Sequence, residues 1–148
     1  MPMQLRAANE DDLPELAVMN KQLIEDEGSS NPMGLEDLQR RMRDFLNDSW
    51  QADLILNGSD LVGYALYQFR EDPFRPNLRH VYLRQYFIKR EHRLKGYGLA
   101  GIELLREERF KGAESIGIDV LDSNLRGRRF WAKAGFEPYS IHMRLETT

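Results

Sequence analysis

Residues 90–101 read REHRLKGYGLAG. Gly96, Gly98 and Gly101 stand at the spacing G-x-G-x-x-G, which on its face is a dinucleotide-binding fingerprint, and Asp119 stands near the distance of the ribose-binding acid in such folds. That fold requires the glycines directly after a buried strand, at the start of a long doubly wound sheet. Here the apolar run HVYLRQYFI (residues 80–88) is followed by polar KREHRLK before Gly96, and the roughly 50 residues that remain cannot build the second half of a dinucleotide fold. What is left is a basic, glycine-containing loop leading into a helix N-terminus. The first N–H groups of a helix lack intrahelical partners and the helix dipole adds partial positive charge, so such an end accepts a diphosphate. Gly96 and Gly98 allow a phosphate to approach the backbone, Arg90, Arg93 and Lys95 supply charge, and Gly101 reads as a packing site on the helix. Taken alone, the loop also fits a solvated turn with ordinary capping glycines.

The composition fits one globular domain over residues 1–148, with 41% hydrophobic and 30% charged positions. No window approaches the ~18 consecutive apolar residues of a membrane span, and the N-terminal stretch MPMQLRAANEDD has neither a basic start nor an apolar signal core. The expectation is a cytoplasmic protein with no membrane partner. The absence of cysteine removes disulfides, thiolate nucleophiles and Cys-based zinc sites together, and His80, His92 and His142 match no metal-ligand spacing. A net charge of -3 argues against general affinity for nucleic acid.

Along the chain, MQLRAA reads as a first strand, and Leu13, Leu16, Ala17, Asn20 and Leu23 recur at helical spacing after the acidic, proline-containing DDLPE. After the loop-like EDEGSSNPMG (residues 25–34), Leu35, Leu38, Met42, Phe45 and Leu46 predict a second amphipathic helix to about Asn47. ADLIL and DLVGYALYQF flank the turn Asn57-Gly58-Ser59 and predict a hairpin. In the long strand that follows, alternation puts Val81, Leu83 and Phe87 on one face and Tyr82, Arg84, Tyr86 and Ile88 on the other. Leu99, Ile102 and Leu105 define the helix after the glycine loop, SIGIDVL (residues 115–121) supplies a further strand, and Asn124 to Ala134 a short helix closed by Gly135. FEPYS and IHMRL predict a last pair of strands.

RLKGYG (residues 93–98) matches the Arg/Gln-x-x-Gly-x-Gly/Ala motif of the GNAT superfamily, the acyl-CoA-dependent N-acetyltransferases, and NLRGRRFWAKAGFEPY (residues 124–139) is similar to the family's late Asn-to-Gly-Phe segment. The element order resembles the GNAT fold from end to end. The resemblance implies an α/β (α+β) fold with a mixed, mainly antiparallel central sheet flanked by helices, and a splayed strand pair that holds the pantetheine arm of CoA. It implies that Phe87, Ile88 and Arg90 line that arm, that Arg93, Leu94, Lys95, Gly96, Tyr97, Gly98 and Leu99 wrap the pyrophosphate, and that Asn124 and Phe130 or Trp131 contact the arm from the far side. Arg126, Arg128, Arg129 and Lys133 read either as charge near the nucleotide or as a solvated helix face.

The activity implied is direct transfer of acetyl from acetyl-CoA, the cosubstrate, to a primary amine of a small molecule or peptide, with deprotonation of the ammonium and protonation of the thiolate. The sequence departs from the family in both proton-transfer roles. Trp131 stands where the resemblance puts a proton-donating tyrosine, and the long strand offers Tyr82, Arg84 and Gln85 where many members carry a glutamate base. Gln85, which can hold a water, and Tyr82 are the catalytic candidates of this strand. The loop after the first helix covers the acceptor pocket in this fold, so Glu25, Asp26 and Glu27 are candidates for binding a cationic acceptor, against the plainer reading of a solvated acidic helix end. Two functions compete on these residues: an active N-acetyltransferase, and a catalytically inactive acyl-CoA-binding sensor or partner module. The fold also admits a homodimer through the hairpin or the last strands.

Overall fold

The computed structural model describes residues 3–148; Met1 and Pro2, which open the N-terminal stretch read above, lie outside them. Strand β1 (Met3–Ala7) leads into a 3-10 turn whose entry Asn9 closes a capping box with Asp12. Helix α1 (Leu13–Glu27) follows, with Pro14 in the first turn, where its missing N–H costs nothing, and ends at Gly28 in the left-handed conformation (φ 68°). Helix α2 (Leu35–Leu46) buries Leu38 and Met42. Strands β2 (Trp50–Asn57), β3 (Asp60–Glu71) and β4 (Arg79–Ile88) form an antiparallel meander with β1 at its outer edge. Helix α3 (Tyr97–Glu108) crosses back to strand β5 (Ile116–Gly117), which pairs parallel to β4, and helix α4 (Leu125–Lys133) comes last.

Apolar side chains fill both faces of the sheet. Leu13, Leu16, Met19 and Leu23 of α1 and Met42 of α2 pack on Leu54, Tyr64, Leu66 and Phe87. On the other face Ile102 and Leu105 of α3 pack on Ala65, Tyr67, Val81 and Leu83, with Phe130 and Trp131 at the margin. A β-bulge decides which face each β4 residue addresses: Leu83 pairs with Tyr67 and Gln85 with the adjacent Leu66, leaving Arg84 as the extra residue. Phe87 therefore lies on the face opposite Val81 and Leu83, not with them as simple alternation predicts. The bulge also brings Gln85 onto the α1–α2 side, beside Arg84.

Two expected strands differ. SIGIDVL pairs only at Ile116 and Gly117, because the chain then diverges from β4; Ile118 still packs beneath the sheet while its backbone leaves it. The last strand pair does not form: among the described residues no strand follows Gly117, and Tyr139, Ile141, Met143 and Leu145 are exposed. A strand needs a partner edge, β5 offers only two paired residues, and Pro138 cannot donate to a ladder. Among the described residues no helix is long and apolar enough to cross a membrane.

Asp53, 1% exposed, ties α3 to the sheet by accepting two-pronged hydrogen bonds from Arg109 (3.1 Å) and one from the Tyr67 hydroxyl. Arg109→Met should lower the free energy of unfolding by about 3 kcal/mol, because it leaves Asp53 buried without its counter-charge. Urea denaturation checks this.

Candidate active site

The chain leaves β4 at Ile88, makes a 3-10 turn over Arg90–His92, and enters α3 through Leu94 (φ 64°) and Gly96 (φ 82°). Leu94 is a non-glycine residue held left-handed with its side chain in solvent, the kind of backbone cost that persists where a loop shape is functional. Among the described residues, none of the N–H groups from Leu94 to Leu99 is bonded to another protein group; the helix ladder starts at Ala100 N–H to Gly96 C=O (3.1 Å). The loop thus presents a run of free donors at the positive end of a helix dipole. Lys95 is exposed and outside every ion pair among the described residues. Gly96 has open space where a Cβ would stand, whereas a Cβ on Gly98 would meet the Phe130 ring at 2.8 Å. Gly101 is a packing site, as its spacing suggests: the Tyr86 hydroxyl fills the place of its side chain and donates to Gly98 C=O (2.6 Å). Tyr97 accepts a hydrogen bond from Asn57 Nδ2 (2.9 Å), which fixes the start of α3 to the hairpin turn.

Arg90 and Arg93 are paired with the end of α1. Arg90 donates to Asp26 (2.8 Å) and Glu25 (3.2 Å), and Arg93 donates to Asp26 (2.6 Å) and to the Ile88 carbonyl (2.8 Å), its guanidinium lying over the Phe87 ring. Burial pushes the Asp26 carboxyl up, but the bonds from Arg90 and Arg93 outweigh it and hold Asp26 below its ordinary range. Glu25 and Asp26 thus brace the loop against the end of α1.

Beside the loop, β4 is paired with β3 as far as Ile88, yet its other edge is paired with β5 only at Val81 and Tyr82. From Leu83 to Phe87 that edge has no partner strand, the opening that an amide-rich extended ligand fills by strand addition, while the Ile88 carbonyl is taken by Arg93 Nε. Phe130 and Trp131 of α4 stack against Tyr86 of β4 at centroid distances of 6.2 and 5.8 Å, so α4 stands across the opening. Asn124 caps α4 by accepting from Gly127 N–H (3.0 Å), and Arg126, Arg128, Arg129 and Lys133 are exposed.

On the α1–α2 side of β4, Glu27 is the member of the acidic trio without a hydrogen-bond or ion-pair partner among the described residues; burial, then the charge of Asp26, pushes its carboxyl up. Tyr64 is fully buried, feels the charges of Glu27 and Arg41, and donates its hydroxyl to Gln85 Oε1 (2.7 Å). Gln85 is left with its amide N–H donors. Tyr82 donates to Asp119 (2.6 Å), and burial together with that bond pushes its phenol up to about 12, so it stays protonated. Glu27 is distinguishable from its neighbours only by the structure, since sequence alone gives three adjacent carboxylates. Arg41 and Arg84 meet at the Phe45 ring on this side; Arg41 was missed in the sequence, where its signal was an arginine on the shoulder of the Leu38, Met42, Phe45 stripe, and Arg84 was noted on the strand without a binding role.

Solved structures share this architecture. A "possible acetyltransferase" from Clostridium difficile 630 superposes with a TM-score of 0.83 at 15% identity, covering 100% of this chain and 99% of the other. A "predicted acetyltransferase with acetyl-CoA" from Clostridium acetobutylicum gives 0.74 at 18% identity, with 98% and 96% covered. The aminoglycoside N-acetyltransferase AAC(6')-Iy in complex with CoA gives 0.75 at 17% identity, with 99% and 95% covered. No curated protein sequence matches the chain. The family model described as "Acetyltransferase (GNAT) family" matches residues 18–136, a span that runs from α1 through the glycine loop to the end of α4, and the chain belongs to that family.

Proposed function

We propose that this chain is a single-domain N-acetyltransferase that moves the acetyl group of acetyl-CoA to a primary amine of a small molecule or peptide by direct transfer. The observation that carries the reading is the run of free N–H groups from Leu94 to Leu99 standing beside the unpaired edge of β4. Those two features fit a diphosphate and an amide-bearing arm, the two parts of CoA that a protein can hold by backbone alone. Leu94, Lys95, Gly96, Tyr97, Gly98 and Leu99 hold the diphosphate, Phe87 and Ile88 the arm, and Asn124, Phe130 and Trp131 close over it. Arg90 and Arg93 keep the loop in shape through Asp26 rather than meeting phosphate directly. Acetyl-CoA, when bound, supplies the acetyl group as a thioester.

Glu27 takes the proton from the acceptor ammonium. A half-buried, unpaired carboxylate with a raised pKa is the best base this cleft holds, and it replaces the strand glutamate that the sequence lacks. Gln85 and Tyr82, one reduced to its donors and the other held protonated, position the acceptor. Trp131 offers no useful proton to a departing sulfur, since an indole N–H is too weak an acid.

Thiol release from acetyl-CoA, measured with amino acids, peptide N-termini, polyamines and aminoglycosides, tests the reading. Release that depends on an amine is the expected result. Tight binding of acetyl-CoA with no amine-dependent release would identify the chain as a sensor module instead.

A further inference from the structure

We propose that Arg41 and Arg84 form an anion-binding subsite of the acceptor pocket, so that the amine acetylated by this chain also carries a carboxylate. The inference rests on the N-acetyltransferase reading. It departs from the cationic acceptor suggested by the acidic end of α1, two of whose three carboxylates are spent on Arg90 and Arg93.

The two guanidiniums converge on one ring: Arg41 lies 5.5 Å and Arg84 5.2 Å from the centroid of Phe45. Arg84 also lies 5.7 Å from Trp50, and Arg70 continues the array over Trp50 and Tyr82. Arg70 is satisfied by its Tyr82 ring at 4.4 Å and by Gln68 Oε1 at 2.9 Å. Arg41 and Arg84 are different. Among the described residues neither is in an ion pair, in a chain whose other cleft arginines, Arg90 and Arg93, are both paired with carboxylates. Arg41 donates one bond, to Asn20 Oδ1 (3.2 Å), and its Nε is buried with no acceptor.

Two like charges placed together, one with a buried donor left unmade, carry a cost that the aromatic rings and Asn20 offset only in part, since no carboxylate among the described residues pairs with either. Burial, and after it the charge of Arg84, disfavours the charged form of Arg41. A bound anion removes both costs at once by accepting from Arg41 and Arg84 in the planar geometry that guanidinium offers a carboxylate. The bulge in β4 is the local device: without its extra residue, Arg84 would not share the α1–α2 face with Gln85.

The subsite borders the chemistry. The buried Tyr64–Gln85 bond has the charge of Arg41 near it and that of Glu27 as well. An α-amino acid carries the complementary pair, an ammonium for Glu27 and a carboxylate for the two arginines. Opposite charges at the two ends also fix its orientation, which a polyamine would lack.

The test compares L-amino acids, the corresponding amino-acid amides, spermidine and phosphoethanolamine as acceptors in the thiol-release assay. It is accompanied by calorimetric titration of N-acetyl amino acids in the absence of transfer. Amino acids should exceed their amides by about tenfold or more in kcat/KM, as expected for a charge-assisted contact. Arg41→Gln and Arg84→Gln should each raise KM for the amino acid about tenfold or more while leaving KM for acetyl-CoA and for the amide unchanged. Arg84 is exposed, so its variant keeps the test valid if Arg41→Gln fails to fold. Amides or spermidine acetylated as well as amino acids would overturn the subsite while leaving the transferase reading intact. Preference for phosphoethanolamine would overturn the assignment to carboxylate. Binding of N-acetyl amino acids that both variants lose, without turnover of any amine, would sustain the subsite and overturn the transferase reading.

Discussion

Gly96→Glu is expected to abolish acetyl-CoA binding while leaving the protein folded. The φ of 82° at Gly96 belongs to the left-handed region, and an L-residue there costs about 1–2 kcal/mol, a loss that a folded domain tolerates. A Cβ at this position meets no atom within 4 Å, so the side chain has room. The effect therefore falls on the ligand: a carboxylate stands among the free N–H groups of Leu94 to Leu99, where the diphosphate would lie, and like charges repel at short range. Gly96→Ala separates the two contributions, since it carries the backbone cost without the charge and should weaken binding only modestly. Gly98→Glu is the poorer variant, because its Cβ meets Phe130 and disturbs the seat of α4. Calorimetry with acetyl-CoA reads the outcome, and undiminished affinity in folded Gly96→Glu would remove the loop from the binding site.

The second large effect is on turnover. Glu27→Gln should lower kcat by about 10²–10⁴, the range for losing a positioned general base, with little change in acetyl-CoA affinity. The wild-type rate should fall as pH drops through the Glu27 pKa, and burial places that limb above the ordinary glutamate value of about 4.3. The sign of the stability effect distinguishes this from a structural role. A carboxyl whose pKa is raised on folding binds its proton more tightly in the native state, so its contribution to stability is lost as pH rises through the folded pKa. At neutral pH the charged Glu27 therefore opposes folding, and Glu27→Gln should unfold at the same temperature as wild type or higher. A variant that loses both rate and stability would point to a packing role instead.

Most of the architecture was legible because periodicity, caps and turns are local signals. The helical spacing of Leu13 to Leu23, the Asn57-Gly58 turn and the glycine loop all appear in the structure where the sequence places them. Signals that depend on partners far along the chain were not legible. Alternation in β4 misplaces Phe87 because a bulge depends on the register against β3, and nothing in HVYLRQYFI marks Arg84 as the extra residue. FEPYS and IHMRL have strand composition but no edge to join. In the candidate site the loop could be read from RLKGYG, whereas the pairing of Asp26 with Arg90 and Arg93 spans more than sixty positions and separates Glu27 from its two neighbours. Such a pairing is a property of the folded chain, and it converts three equivalent carboxylates into two structural ones and one free.

The most direct test of acetyl transfer is to follow the acetyl group itself. Acetyl-CoA carrying isotopically labelled acetyl would be incubated with the purified chain and a panel of amines, and the amine fraction analysed by mass spectrometry. Direct transfer predicts labelled acetyl on the amine nitrogen, formed with the wild type and strongly reduced with Glu27→Gln and Gly96→Glu. Label that stays on CoA or ends in free acetate with every amine, although acetyl-CoA binds, would contradict it.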